Sequence, residues 1–132
     1  MNDYPATLHV NAFSNERRVL KFSYQFSQNT NENCEITGPI LGGKLVIQVQ
    51  AMDGDLDLFN WKLKHGKKES GYISIKSQTG DEEASRIEFE DAFCTEYTES
   101  YVEGVGHNEE LVLSCRTIKQ KSVSFTNKWA KA

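Results

Sequence analysis

Long apolar runs are missing from this chain. No stretch approaches the roughly 18–20 consecutive apolar residues that a membrane-crossing helix needs, so no transmembrane helix and no membrane insertion are expected. The first residues, MNDYPATLHV, lack a basic segment followed by an apolar core, so no signal peptide for the general secretion route is expected. Cysteine is scarce. Cys34, Cys94 and Cys115 form no CxxC pair, and an odd count at long spacings does not suggest a disulfide framework. Cys94 and Cys115 fall in strand-like runs and read as small core residues, whereas Cys34 lies in a loop. An excess of positive charge is lacking too: 15 Lys and Arg stand against 19 Asp and Glu, a net charge of -4. That balance argues against a nucleic-acid partner held by a broad basic surface. The dense basic runs are confined to residues 62–68 and 116–121. There is no internal repeat and no low-complexity segment.

The 132 residues are enough for a single domain with a real core, spanning 1–132, but not comfortably for two. The spacing predicts one helix, over 53–66 (DGDLDLFNWKLKHG). Asp53 or Asp55 suits the N-cap, Asp57 adds negative charge to the first turn, lysines gather at the far end, and Gly66 is a stop residue. At about 100° per residue, Leu56, Phe59 and Leu63 share one face, and Leu58 and Trp61 fall nearly opposite. One face must cover the body of the domain. The other needs a loop of the same chain or a neighbouring subunit.

Elsewhere the period is two. Residues 6–13 alternate with Ala6, Leu8, Val10 and Ala12 on one side, and residues 19–28 with Leu20, Phe22, Tyr24 and Phe26. A short polar link makes the two a hairpin. Residues 29–43 form an extended loop that carries Ile36, Ile40 and Leu41 around Gly38-Pro39, a length often associated with function. Further strands are expected over 44–52, 72–78, 85–97 and 111–118. Asp91 interrupts the third of these, and a bulge is expected at Ala92-Phe93. Residues 98–108, with Gly104 and Gly106, read as a flexible polar connection, and residues 122–132 as a tail holding Phe125 and Trp129. The fold class is therefore all-β: a small barrel or sandwich of about seven strands with one flanking helix and an extended loop.

No catalytic constellation, cofactor motif or metal set emerges. His9, His65 and His107 are isolated from one another and from cysteine or aspartate at ligand spacing. Cys94 with His107 is a conceivable thiol–imidazole pair without a motif to support it. Asp81-Glu82-Glu83 reads as a solvated turn, and Glu88 and Glu90 as the wet face of a strand. Gly42-Gly43-Lys44 lacks the glycine spacing and the following helix of a phosphate loop. Neither an enzyme nor a cofactor is expected.

The order of the pieces carries more than any one of them. An opening strand is followed by Phe22 to Gln28 (FSYQFSQ). A long loop ends in Gly42-Gly43-Lys44-Leu45. The helix carries Leu58-Phe59-Asn60-Trp61, Ser70-Gly71 opens the next strand, an aromatic run extends from Phe93 to Tyr101, and Asn127 and Trp129 close the chain. In these landmarks the chain resembles, from about residue 6 to 129, the tube protein of type VI secretion systems (the Hcp or TssD family) in its Bacteroidetes form. The loop segment Asn31-Glu32-Asn33-Cys34-Glu35 departs from the consensus of relatives, so contacts made there are expected to differ or to be weaker.

The resemblance implies a β-barrel protomer. Six would form a ring, and rings would stack into a hollow tube driven out by a contractile sheath behind a spike protein, with effector proteins in the lumen. It implies a cytoplasmic protein before firing, then secreted without a signal peptide. On this reading Ile36, Thr37, Gly38, Pro39, Ile40 and Leu41 of the loop, Leu58 and Trp61 of the helix, and Trp129 are expected at subunit contacts. Two other readings stand beside it: a lipocalin-like barrel binding a small ligand, and a hydrolase whose Glu88, Glu90 or Asp91 converge in a cleft.

Overall fold

Alternation of apolar and polar residues commits most of the chain to strands with one dry and one wet face. The computed structural model describes residues 4–129. It contains β1 (Ala6–Val10), β2 (Arg17–Tyr24), β3 (Lys44–Gln50), α1 (Asp57–Leu63), β4 (Lys68–Lys76), β5 (Glu83–Val102), β6 (Gly106–Gln120) and β7 (Val123–Thr126). The strands pair antiparallel in the order β3-β2-β1-β4-β5-β6-β7, and β3 also pairs with β6. The first six strands thus close into a barrel, and β7 adds to the stretch of β6 beyond β3. Closure removes the free edges of those six strands.

The inward phase of each strand supplies the core: Leu8 and Val10, Val19, Leu45, Ile47 and Val49, Ile73, Ile87 and Phe89, and Leu111, Leu113 and Cys115. Each fully buried aliphatic or Phe side chain stabilises by roughly 1.5–3 kcal/mol relative to exposure. Six strands enclose a space narrow enough for these side chains to fill. One contiguous cluster occupies it, which removes the ground for a lipocalin-like chamber.

Several boundaries differ from the sequence expectation, each for a local reason. In β2, Val19 pairs with Val49 and Lys21 with Gln48, so Leu20 is the extra residue of a bulge and its side chain is exposed. The bulge resets the phase, so that Arg17 and Val19 face inward before it and Phe22 and Tyr24 after it. In β5 one irregularity is at Glu90-Asp91, just ahead of Ala92-Phe93, and a second, against β6, lies between Cys94 and Glu96. Gly71 pairs with Phe89 and Glu69 with Ala92, and Asp91 adopts φ 50°. The Asp91 N–H then donates to Ser70 Oγ (3.1 Å).

Residues 98–108 are not a flexible connection. Thr98 pairs with Glu110 and Val102 with Gly106; β3 still flanks β6 at Asn108–Glu110, and beyond it β5 and β6 run on as a two-stranded arm that turns at 103–105. The 122–132 tail likewise holds a strand, β7, whose Phe125 packs edge-on against Phe26 (4.9 Å between ring centroids). The helix covers Asp57–Leu63 rather than 53–66. Gly54 at φ 75° and Gly66 at φ 70° turn the chain on either side of it. Asp55 still serves its start, accepting the Asp57 N–H at Oδ1 (2.9 Å).

Candidate assembly surfaces

Of the two apolar faces of α1, the barrel takes Leu58 (1% exposed) and Trp61 (2% exposed). Phe13 meets the Trp61 ring edge-on at 6.0 Å, and the indole N–H donates to the Lys67 carbonyl (3.0 Å). A buried tryptophan is stable where its one donor finds an acceptor, and this site supplies it. The expectation of Leu58 and Trp61 at a subunit contact is therefore corrected: both are spent inside the protomer. The open face is the other one, with Leu56 67% and Leu63 66% exposed and Phe59 leaning on the Tyr97 ring at 5.6 Å. Helical spacing alone makes the two faces equivalent, so sequence could not choose between them.

The long loop forms a narrow arm instead of folding down on the barrel. Bridges Ser27–Leu41 and Thr30–Ile36 tie its two sides, the Thr37 N–H donates to Asn29 O (2.9 Å), and Gln28 Nε2 donates to Gly38 O (3.1 Å). At the tip, Asn31 Oδ1 accepts the N–H groups of Asn33 (2.9 Å) and Glu35 (3.1 Å), around Cys34 at φ 64°. From Ser27 to Leu41 these backbone hydrogen bonds are local, and Ile36, Ile40 and Leu41 stay exposed, with Thr37 and Pro39 also open to solvent.

The base of this arm is fastened by the end of the chain. Asn127 Nδ2 donates to Gly42 O (3.2 Å) and to Cys115 O (3.0 Å), while the Cys115 N–H donates to Gly43 O (2.7 Å). A Cβ on Gly43 would lie 2.2 Å from Asn127 Nδ2, and its φ of +96° suits glycine alone. Two landmarks far apart in sequence, Gly42-Gly43 and Asn127, are thus one structural clasp. Trp129 lies beside it, stacks on Phe93 (5.2 Å, 25° between planes) and is partly buried within its own chain.

The sequence reading missed a buried ionic cluster at the opposite end of the barrel. Arg17 is 3% exposed. Its Nη2 donates to Glu109 Oε1, and its Nη1 lies 3.4 Å from Asp55 Oδ2. The Tyr97 hydroxyl donates to Glu109 Oε2, and Asn15 Nδ2 donates to Asp55 Oδ2 (3.1 Å). Burial pulls Arg17 below its usual range while Asp55, Tyr97 and Asp57 oppose that pull. Burial first, then Glu99, push the Tyr97 hydroxyl up, with Arg17 opposing. The cluster joins β2, the approach to α1, β5 and β6, and through the Tyr97–Phe59 contact it sets the pose of the open helix face. The signal was in the strand phase: Arg17 shares the inward phase of Val19, and Glu109 that of Leu111 and Leu113.

The groups weighed for chemistry do not converge. His9 stacks on Tyr72 and sits 3.9 Å from Glu16; His107 pairs with Glu99; His65 is exposed. Cys94 is buried, with its thiol pushed up to about 11 by burial, the wrong direction for a nucleophile. Glu88, Glu90 and Asp91 border an open groove of about 330 Å³ with Asn11 and Ser70, and Glu90 and Asp91 are exposed to water. Among the described residues, no group of three or more His, Cys, Asp or Glu could hold a metal ion, and no helix is long and apolar enough to cross a membrane.

Comparison with known proteins adds to this geometry. The family model described as "Hemolysin coregulated protein Hcp (TssD)" matches residues 2–130. No curated protein matches the chain significantly. Among solved structures, Hcp1 from Flavobacterium johnsoniae superposes with a TM-score of 0.87 at 21% identity, covering 94% of this chain and 100% of that one. Hcp1 from E. coli EAEC 042 gives 0.75 at 12% identity, covering 96% and 99%. A chain of the sheath–tube complex of an extracellular contractile injection system, PVC, gives 0.55 at 17% identity, covering 93% and 92%.

Proposed function

This chain belongs to the hemolysin coregulated protein (Hcp, TssD) family, and from that premise we propose that it is a structural subunit of a type VI secretion tube. The observation that carries the reading is the family match over residues 2–130, on a barrel whose interior is packed solid. The interior is filled by one apolar cluster, and the buried polar groups at its end, Arg17, Asp55, Tyr97 and Glu109, bond to one another. The exposed apolar surface of the protomer is concentrated on the loop arm, the helix and the β5–β6 arm. Apolar patches of this kind on a small domain mark contacts with other proteins.

In the proposed assembly six copies form a ring, rings stack into a hollow tube, and effector proteins travel in the lumen. Loop residues Ile36, Thr37, Gly38, Pro39, Ile40 and Leu41, together with Leu56, Phe59 and Leu63 on the open helix face, supply contacts between copies. Each copy gives one patch and receives on a different one, so that the contacts close head to tail. A contractile sheath and a spike protein are the further partners, and the tube leaves the cytoplasm when the sheath contracts. The sheath–tube complex that contains the PVC chain supports the sheath among these partners by analogy of fold.

Light scattering behind size exclusion tests the proposal. A ring is expected at six times the 15.0 kDa of one chain, with six-fold particles in electron micrographs. A protein that stays monomeric at concentrations of tens of micromolar or more, with or without a co-expressed sheath, refutes it.

A further inference from the structure

The strand register gives the protomer two poles. At one, β2 ends at Tyr24 beside Leu45, β6 runs on past Ile118, and β7 and the start of β5 lie alongside. Here an open groove of about 640 Å³ is lined by Tyr24, Phe26, Ile118, Val123 and Phe125, with Arg86 and Lys121 among its polar members. No acidic side chain lines it, but Arg86 is held from outside by Glu83 (Nε to Oε2 3.0 Å), so Lys121 carries its uncompensated charge. At the other pole, some twenty residues along the same hairpin, the β5–β6 arm ends in Tyr101-Val102-Glu103-Gly104-Val105. Tyr101, Val102 and Val105 are exposed there, Val105 at 74%, and the formal charge of this segment is the single negative charge of Glu103.

An apolar tip with one acid and an apolar groove whose uncompensated charge is that of Lys121 are complementary, and they sit at opposite ends of one strand pair. We infer that the tip of the β5–β6 arm of one copy seats in the Tyr24–Phe26–Phe125 groove of the next, with Val105 beside Val123 and Glu103 facing Lys121. The occupant is a second copy of this chain; in naming it the inference rests on the tube reading. A tip and a groove at opposite poles make a heterologous contact that repeats along one direction without closing, which suits the join between successive rings better than the join within one. The tip is a tight turn closed by the Val102–Gly106 pair and by the Val105 N–H donating to Val102 O (2.9 Å), so seating it costs little ordering entropy.

Cross-linking tests the contact. In a Cys34→Ser background, which removes the exposed native thiol, the Val105→Cys/Val123→Cys variant is oxidised with copper–phenanthroline. Both positions are 74% exposed in one chain, so neither change threatens the fold. The expected result is a disulfide-linked ladder running past six copies on a non-reducing gel, absent from either single-cysteine variant. Glu103→Lys should abolish the ladder, and Glu103→Lys with Lys121→Glu should restore it. No ladder from a protein that still forms rings by light scattering overturns this contact and leaves the tube reading standing. A ladder ending at six places the contact inside one ring and also overturns it. Loss of rings in the unmodified protein counts against the tube reading, whatever the gel shows.

Discussion

Replacing Arg17 by Met removes the one cation from a site that keeps two carboxylates. Arg17 and Asp55 are 3.4 Å apart, and at an effective dielectric of about 20 such a pair attracts by roughly 5 kcal/mol before desolvation is counted. Burial of all three groups offsets much of that in the intact cluster. Once the guanidinium is gone, Glu109 keeps the Tyr97 hydroxyl and Asp55 keeps the Asn15 amide, and neither keeps a charge partner within the cluster. Breaking a buried pair from one side costs about 3–5 kcal/mol. For a chain of 132 residues, with an unfolding entropy near 2.1 cal/mol/K per residue, that lowers Tm by about 11–18 °C. Urea titration followed by tryptophan fluorescence reads the loss as a lower midpoint at unchanged slope. Removing both sides with Arg17→Met/Glu109→Leu should cost at least about 1.5 kcal/mol less than the two single changes together. A loss below about 1 kcal/mol for Arg17→Met, or plain additivity in the double variant, refutes the view of this cluster as a coupled buried network.

Gly43→Ala should destabilise by roughly 2–4 kcal/mol, since the new methyl group meets Asn127 and Cys115 O at a positive φ, whereas Gly54→Ala, also at positive φ but with open space around it, should cost only about 1 kcal/mol; thermal unfolding of the two variants compares them. Ellman's reagent at pH 8 should titrate one thiol, Cys34, in the folded protein and three in denaturant, because Cys94 and Cys115 are buried. Burial raises the Cys115 thiol from 9.0 to about 12, so its contribution to stability is fully present below pH 9 and is lost as pH rises toward 12; urea midpoints should fall over that window, and by less in Cys115→Ala once its own cavity cost is subtracted. Leu56→Asp with Leu63→Asp should leave the urea midpoint within about 0.5 kcal/mol yet lower the mass seen by light scattering, since both side chains are open in the protomer.

The barrel was legible because its strands obey period two. Leu45, Ile47 and Val49 could face only one way, and they do. Where the pattern failed, a backbone feature intervened. The bulge at Leu20 moved a leucine out of phase, and no residue type announces it. The β5–β6 arm was hidden because a free two-stranded ribbon wets both faces, so its sequence shows no apolar alternation to read. The helix was found but oriented wrongly, since Leu58 and Trp61 differ from Leu56, Phe59 and Leu63 only in what the barrel offers each side: Phe13 and the Lys67 carbonyl on one, water on the other. Arg17 and Glu109 were visible as charges in an inward phase, a warning that a chain read only for hydrophobicity passes over.

The placement of rigid and open parts bears on assembly. The closed barrel and the Asn127 clasp hold the base of the loop arm to the same frame as β6 and β7, which also wall the groove at that pole. The Arg17 cluster does the same at the other pole, tying the approach to α1 to β5 and β6, from which the second arm extends. Apolar tips on a loose scaffold would lose much of their contact energy to ordering, so two polar fastenings far from each other make sense if both ends must meet partners in a set geometry. A protomer stabilised only for its own sake would need neither arm: their tips bury little apolar surface within the chain and leave Ile36, Ile40, Val102 and Val105 in water. The asymmetry of the two poles is what a head-to-tail filament requires, because a two-fold pair would satisfy one pole and leave the other open.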